Sequence, residues 1–275
     1  MEHHFSQSGT KQSMEATGPD QKLSTLLSCQ LDAKSQDLEW MLAHFTFVAD
    51  ATTLAGECDI VCSPKMSVAS YHGLPFPALA FLGTSPELLN SYATFLIEPG
   101  SPVALLVNEE QRQVVEQAFV INKSIPEWQM LFEGTPEALE IGNAVPLKPK
   151  NLSAMQSLAK VTQLEALEQD PFNHGPAFGI WEGRTLAAMG TTHLTIPQAV
   201  EIGNIATHPD YRHSGYATHI IAALIHAHQR EDNKVFLMVY QDNLKAIQFY
   251  EKLGFQRKRP MYLMHCQVKQ TTQNY

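Results

Sequence analysis

The sequence is poor in the features that mark several common protein classes. Only four of its 275 residues are cysteine (Cys29, Cys58, Cys62 and Cys266). That is too few to staple a chain of this length, so a disulfide scaffold is not expected. Cys58 and Cys62 form the one close pair, and no second pair at zinc-site spacing follows, so no metal is expected. Basic charge is also scarce: 19 Lys and Arg against 28 Asp and Glu give a formal net charge of −9. Phosphate backbones attract clustered cations, and the one compact basic run, Arg257-Lys258-Arg259, reads as a solvated turn. No nucleic acid partner is expected. No apolar run approaches the roughly 18 residues of a membrane span. The opening MEHHFSQSGTKQSMEATGPDQK lacks the hydrophobic stretch of a secretory signal. The expectation is a cytoplasmic chain with no membrane partner and a disordered polar tail over 1–24. There is no tandem short repeat.

What is present is apolar: 44% hydrophobic residues against 17% charged, ample for a core. The length allows one large domain or two ordinary ones, and two halves can be traced. Residues 25–141 read as an N-terminal α/β lobe. Helices are expected over 38–48, 86–96 and 109–119, with Ser85 as N-cap and Pro86 at the first helical position of the second. Extended segments are expected over 60–71, 78–82, 103–107 and 128–132. Strands alternating with helices point to an α/β layer. No catalytic constellation is visible in this half.

Residues 142–150, GNAVPLKPK, read as a linker, and 151–270 as a second domain. Asn151 is a candidate N-cap for a helix with Leu152, Met155, Leu158, Val161 and Leu164 on one face. Strands over 177–181 and 185–193 flank a Glu182-Gly183 turn. A strand over 199–206 leads into Arg212-His213-Ser214-Gly215-Tyr216-Ala217 and a long helix to about 230. An apolar strand over 234–240, a helix opened by Asn243 and closed at Gly254, and a strand over 261–268 complete the pattern.

The strand–turn–helix at 212–217 carries the chemistry. A diphosphate needs several converging hydrogen-bond donors and no bulky side chains in the way. Main-chain amides at a helix start supply them, and the helix dipole adds positive potential. Gly215 allows close approach of the backbone, and Ala217 is small. The turn resembles motif A of the GNAT superfamily of N-acetyltransferases, Gln/Arg-x-x-Gly-x-Gly/Ala. Residues 243–255, NLKAIQFYEKLGF, resemble its motif B through Asn243, Ala246, Tyr250, Gly254 and Phe255. The likeness runs from about 151 to 268. Ala217 stands for the second glycine, and His213 and Ser214 stand where many relatives carry Arg or Gly and basic residues.

The resemblance implies an α/β chain. Its C-terminal half would be a GNAT fold, a mixed, largely antiparallel sheet flanked by helices, beside a smaller N-terminal lobe that in several bacterial relatives is a degenerate GNAT-like unit. It implies acetyl-CoA, or another acyl-CoA, as co-substrate and direct transfer to an amine in a ternary complex. The pyrophosphate would lie on the amides of His213, Ser214, Gly215, Tyr216, Ala217 and Thr218, with Arg212 adding charge or bracing the turn. Ile205, Ala206 and Thr207 would pair with the pantetheine arm, and Asn243 and Ala246 would also meet the cofactor.

An attacking amine must lose a proton, and the departing thiolate must gain one. Glu201, eleven residues ahead of Arg212, is the candidate base; histone-acetylating members carry a glutamate at this offset. Its plain alternative is a solvent-facing strand residue. His208 and Glu182 are weaker candidates. Tyr250 is the candidate acid, against the alternative of a packed core aromatic. His219, His226 and His228 lack the i, i+4 spacing of a metal pair. The acceptor would be a small-molecule or peptide amine, bound between the halves or over the sheet near loop 167–176. The acidic balance is compatible with a cationic one. A CoA-binding sensor or assembly module without turnover is the second reading. Monomer and homodimer are both compatible with the sequence.

Overall fold

The computed structural model describes residue 31, residue 34 and residues 37–164, 167–229 and 233–269. The tail 1–24 and Cys29 lie outside the described residues. Among the described residues one mixed, mostly antiparallel sheet of 11 strands runs through both halves. The first half supplies β1 (Cys58–Ser63), β2 (Met66–Tyr71), β3 (Ala78–Gly83), β4 (Pro102–Val107) and β5 (Val120–Phe132). The second supplies β6 (Val145–Pro146), β7 (Ala177–Glu182), β8 (Thr185–Ile196), β9 (Ala199–Thr207), β10 (Lys234–Tyr240) and β11 (Phe255–Gln267). Among the described residues the helices are α1 (Leu38–Ala43), α2 (Phe45–Ala51), α3 (Pro86–Leu96), α4 (Glu109–Ala118), α5 (Leu152–Thr162), α6 (Tyr216–Gln229) and α7 (Leu244–Lys252). No helix among the described residues is long and apolar enough to cross a membrane.

The strand order is β1-β2-β3-β4-β11-β5-β10-β9-β8-β7-β6. Each half runs hairpin, strand, helix, strand, helix, strand, and the two halves exchange their last strands. β5 lies between β11 and β10 and is antiparallel to both. β11 in turn reaches across to β4, with Leu263 opposite Leu106. A chain cut at the 142–150 segment would therefore leave two strands without their neighbours.

Local chemistry explains most element ends. Ser85 accepts from Leu88 N–H at 3.3 Å and Pro86 opens α3. Asn108 and Gln111 form a capping box on α4, with each side chain satisfying an otherwise orphaned backbone donor. Other elements depart from expectation. The helix expected over 38–48 is two short helices meeting at His44. The extended segment 60–71 is a hairpin turning at Pro64 and Lys65. Asn151 does not cap α5; its Oδ1 accepts from Lys148 N–H at 2.9 Å and so ties down the 3-10 turn before the helix. The basic run 257–259 is paired: Arg257 reaches Glu251 at 2.6 Å, Lys258 reaches Glu39 at 3.6 Å, and Arg259 also bonds Glu39.

The cores lie on both faces of the sheet. α6 buries Ile220, Ile221, Leu224 and Ile225 completely against Val200, Ile202, Val235 and Leu237. Each such aliphatic side chain contributes roughly 1.5–3 kcal/mol on leaving water. On the opposite face, α1 and α2 pack Met41, Leu42 and Phe45 against Leu131, Phe236 and Met261. The site is built between these two layers.

Candidate functional site

β9 and β10 are parallel neighbours over only three positions, ending with Phe236 opposite Glu201. Beyond Glu201 the strands part. The edge of β9 that faces β10 then carries no ladder partner, while its other edge stays paired to β8 as far as Thr207 opposite Ala188. Unpaired strand edges present alternating N–H and C=O groups to any extended ligand. Ile205, Ala206 and Thr207 lie on this free edge. Two of their side chains are engaged elsewhere: Ile205 packs with the α6 layer and Ala206 with α5.

The 212–217 turn follows directly. Arg212 Nε donates to Thr207 O at 3.4 Å, bracing the turn against the strand end. His213 and Gly215 both have left-handed backbone, with φ of 68° and 79°. A side chain at Gly215 would meet nothing within 4 Å, so conformation and open space, not crowding, call for glycine here. The first main-chain bond into α6 is His219 N–H to Gly215 O at 3.3 Å. The amides ahead of it, those of Tyr216, Ala217 and Thr218 among them, are helix-start donors without an intrahelical partner. Among the described residues no side chain caps them. Ser214 completes the turn, which is thus shaped to receive an anion. The Tyr216 phenol bonds Glu182, which pushes its pKa up and fixes the helix start to β7.

The two candidate catalytic groups lie on opposite faces of the sheet. Val200 and Ile202 belong to the α6 layer, so Glu201 between them faces the α1–α2 side, as its neighbour Phe236 does. Glu201 is 4% exposed, which removes the solvent-facing alternative. Tyr250, on α7, packs with the α6 layer and stacks edge-on to Phe255 at 5.9 Å. Burial pushes its phenol up to about 12, so it holds its proton at neutral pH. Asn243 caps α7, accepting from Ala246 N–H at 3.1 Å.

Three groups that the sequence did not single out surround Glu201. His193 lies 3.2 Å from Glu201 through Nδ1 and 2.8 Å from Glu168 through Nε2. Burial would lower the imidazole pKa, but the two carboxylates outweigh it and hold His193 well above its ordinary value. Burial likewise opposes the charge on Glu168, and the imidazolium overcomes it, so that carboxyl is lowered. Glu127, on β5, is pushed up to about 7 by burial and then by the charge of Glu201, with His193 pulling the other way. Asn204 donates to Glu168 at 3.0 Å and to Thr191 at 2.9 Å.

Beside this cluster lies a cleft of about 400 Å³ between the halves, lined by Glu57, Asp59, Tyr71 and His72 on one side and Glu168 and Asp170 on the other. The remaining candidates sit elsewhere. His208 accepts from Asp210 N–H at 3.3 Å inside its own turn. His226 meets Leu139 O at 2.9 Å, and His228 is buried against the Thr192 hydroxyl at 2.7 Å. Among the described residues no group of three or more His, Cys, Asp or Glu is arranged to hold a metal ion.

A strand pair thus opens above a glycine turn at a helix start, and the comparisons place this fold among known ones. The model of the acetyltransferase (GNAT) family matches residues 150–255. A GNAT-family structure from Novosphingobium aromaticivorans is 20% identical over 83% of this chain and 99% of its own, with a TM-score of 0.68. A GCN5-related N-acetyltransferase from Kribbella flavida is 12% identical over 84% and 97%, with a TM-score of 0.59. A GCN5-related N-acetyltransferase-like protein from Streptococcus suis is 15% identical over 85% and 99%, with a TM-score of 0.55. Among curated proteins, none matches the sequence. Residues 150–255 thus resemble the GNAT acetyltransferase family, and the fold over both halves is that of the solved GNAT-family structures.

Proposed function

We propose that the protein transfers an acetyl group from acetyl-CoA to an amine by direct attack in a ternary complex. The observation that carries this reading is the parting of β9 from β10 immediately after Glu201, directly ahead of an uncapped helix start. The residues present fit a CoA thioester. Its pyrophosphate would lie against the amides of 213–218, in the open space before Gly215. Its pantetheine arm would take the free main-chain edge of Ile205, Ala206 and Thr207.

Glu201 and Tyr250 then divide the chemistry. Glu201, on the α1–α2 side, takes the proton from the incoming ammonium. The amine forms its C–N bond at the thioester carbonyl from that side as the C–S bond breaks. Tyr250, on the opposite side and protonated because of its burial, donates to the departing thiolate. Asn243 and Ala246 serve by setting the start of α7, which holds Tyr250 in place. The acceptor would enter by the cleft between the halves. Its carboxylates, with the net charge of −9, suit a cationic amine, whether small molecule or peptide.

The test is an acceptor screen with purified protein and acetyl-CoA, read as CoA thiol release. Release with at least one amine, slowed strongly by Glu201→Gln and by Tyr250→Phe at unchanged acetyl-CoA affinity, is the expected result. Tight acetyl-CoA binding with no release across peptides, polyamines, amino acids and aminoglycosides would favour a CoA-binding sensor instead.

A further inference from the structure

His193 is held in a way that an ordinary strand histidine is not. β8 and β9 pair antiparallel, but their register slips between Thr192 and Leu194, which leaves His193 as the extra residue of a bulge. A bulge re-aims one side chain and locally strengthens the twist, and bulges concentrate beside active sites. The strand opposite makes room for the ring: a Cβ added at Gly203 would lie 3.0 Å from His193 Cβ and 3.3 Å from its Cγ. The re-aimed imidazole then spans two carboxylates that are each 4% exposed, Glu168 at 2.8 Å and Glu201 at 3.2 Å. Glu168 is in turn fixed by Asn204, itself in left-handed backbone with φ 53°, and it lines the cleft.

We propose that His193 is a positioning residue for the acyl transfer: bridged between Glu168 and Glu201, it fixes the Glu201 carboxylate at the mouth of the β9–β10 gap and links its charge to the acidic cleft. This rests on the reading of Glu201 as the base. Glu201 Oε2 lies 3.2 Å from His193 Nδ1 as a charge contact rather than an aligned hydrogen bond, and attraction to the imidazolium draws that oxygen to its side. Held so, the group is pre-aligned for the amine, and pre-alignment is worth more than affinity to the rate. The charges facing the imidazole are Glu201 on β9, Glu168 and His174 on the segment ahead of β7, and Glu127 on β5. Burying three carboxylates together would be costly without a cation among them, and His193 supplies it, held well above the ordinary imidazole value.

Two variants and one spectrum test this in the full chain. Wild-type CoA release is measured first. Its absence with every acceptor sinks the acyl-transfer reading and this proposal with it, an outcome distinct from any effect of the variants. With turnover established, His193→Gln is expected to lower kcat by about tenfold to a hundredfold with acetyl-CoA affinity unchanged. Glu168→Gln keeps a hydrogen-bond partner for Nε2 and so guards against a folding defect. Histidine-selective ¹⁵N spectra are expected to show His193 as a cation at pH 7 in the wild type, turning neutral at lower pH in Glu168→Gln. A His193→Gln protein with wild-type kcat overturns the proposal, as does a neutral His193 at pH 7 in the wild type.

Discussion

The two halves of the chain run through the same series of elements, and only one of them holds the proposed phosphate site. β3, α3, β4, α4 and β5 in the first half correspond to β9, α6, β10, α7 and β11 in the second. Both series contain a parallel strand pair that separates early: β3 and β4 meet only at Ala78 and Ala104, β9 and β10 over three positions. The difference lies at the helix starts. In α3 the Ser85 side chain takes the Leu88 amide and Pro86 has no amide to offer. Glu87, which accepts from the Ser85 hydroxyl at 2.9 Å, already sets a carboxylate at the positive end of that helix. In α6 the left-handed His213 and Gly215 turn the chain in without a side-chain cap. The same topology thus presents a helix start closed by its own side chains in one half and an open one in the other. On the proposed reading, a few residues at a turn rather than the fold alone carry the function.

The largest test of the comparison is to separate the halves. Because β5 and β11 are exchanged, residues 142–275 alone are expected not to fold. Circular dichroism of that fragment checks it, and co-expression with residues 1–141 should restore a folded complex. Next come Glu201→Gln and Tyr250→Phe, each expected to lower kcat by about 10²–10⁴-fold, the usual range for a lost acid or base. Gly215→Glu, which adds a like charge at the open turn, should weaken acetyl-CoA binding by about a hundredfold, or ~2.7 kcal/mol, measured by calorimetry.

Buried acids extend the comparison to pH. In the first half Asp50 lies on α2 with the Cys58 thiol as its hydrogen-bond donor, and burial pushes it up to about 7. A carboxyl raised on folding adds stability that is complete below its unfolded value and is lost as pH climbs through the folded one. The melting temperature should therefore fall as pH rises towards 7 and just beyond, and Asp50→Asn should flatten that fall, by on the order of 4 kcal/mol at the alkaline end. His193 works in the same direction, since its pKa too is raised on folding. Glu168, lowered by its imidazolium partner, acts oppositely: its contribution is present above the unfolded carboxyl value and is lost on acidification. Thermal melts across pH for the wild type and Asp50→Asn check the sign. The smallest effect is expected at the closed helix start: Ser85→Ala should cost about 1 kcal/mol of stability, read by denaturant titration, and leave acetyl-CoA affinity untouched.

The second half is legible in the sequence because its signals are local. The turn at 212–217, the apolar face of α6, the unbroken β10 and the Asn243 cap each fall within one short stretch. β5 is not: only 128–132 read as extended, whereas the strand runs from Val120 to Phe132. Asn122, Lys123, Ser124 and Pro126 all argue against a strand. They are tolerated because β10 pairs with β5 only from Glu127 to Leu131, so that Pro126 lies beyond that ladder. β11 likewise reads as shorter than it is, since Arg257, Lys258, Arg259 and Pro260 hide a strand that carries a bulge there. The exchange of last strands leaves no mark in either half of the sequence. The Glu168–His193–Glu201 bridge is invisible for a related reason: a loop and two strands supply it, and a bulge rather than any spacing aims the imidazole.

The most direct test of the central claim is a titration of acetyl-CoA into ¹⁵N-labelled protein, following the backbone amides of both helix starts. Large shifts are expected at residues 213–218 and none at 85–88. Shifts at 85–88, or no shifts at 213–218 at millimolar acetyl-CoA, would contradict the assignment of the phosphate site.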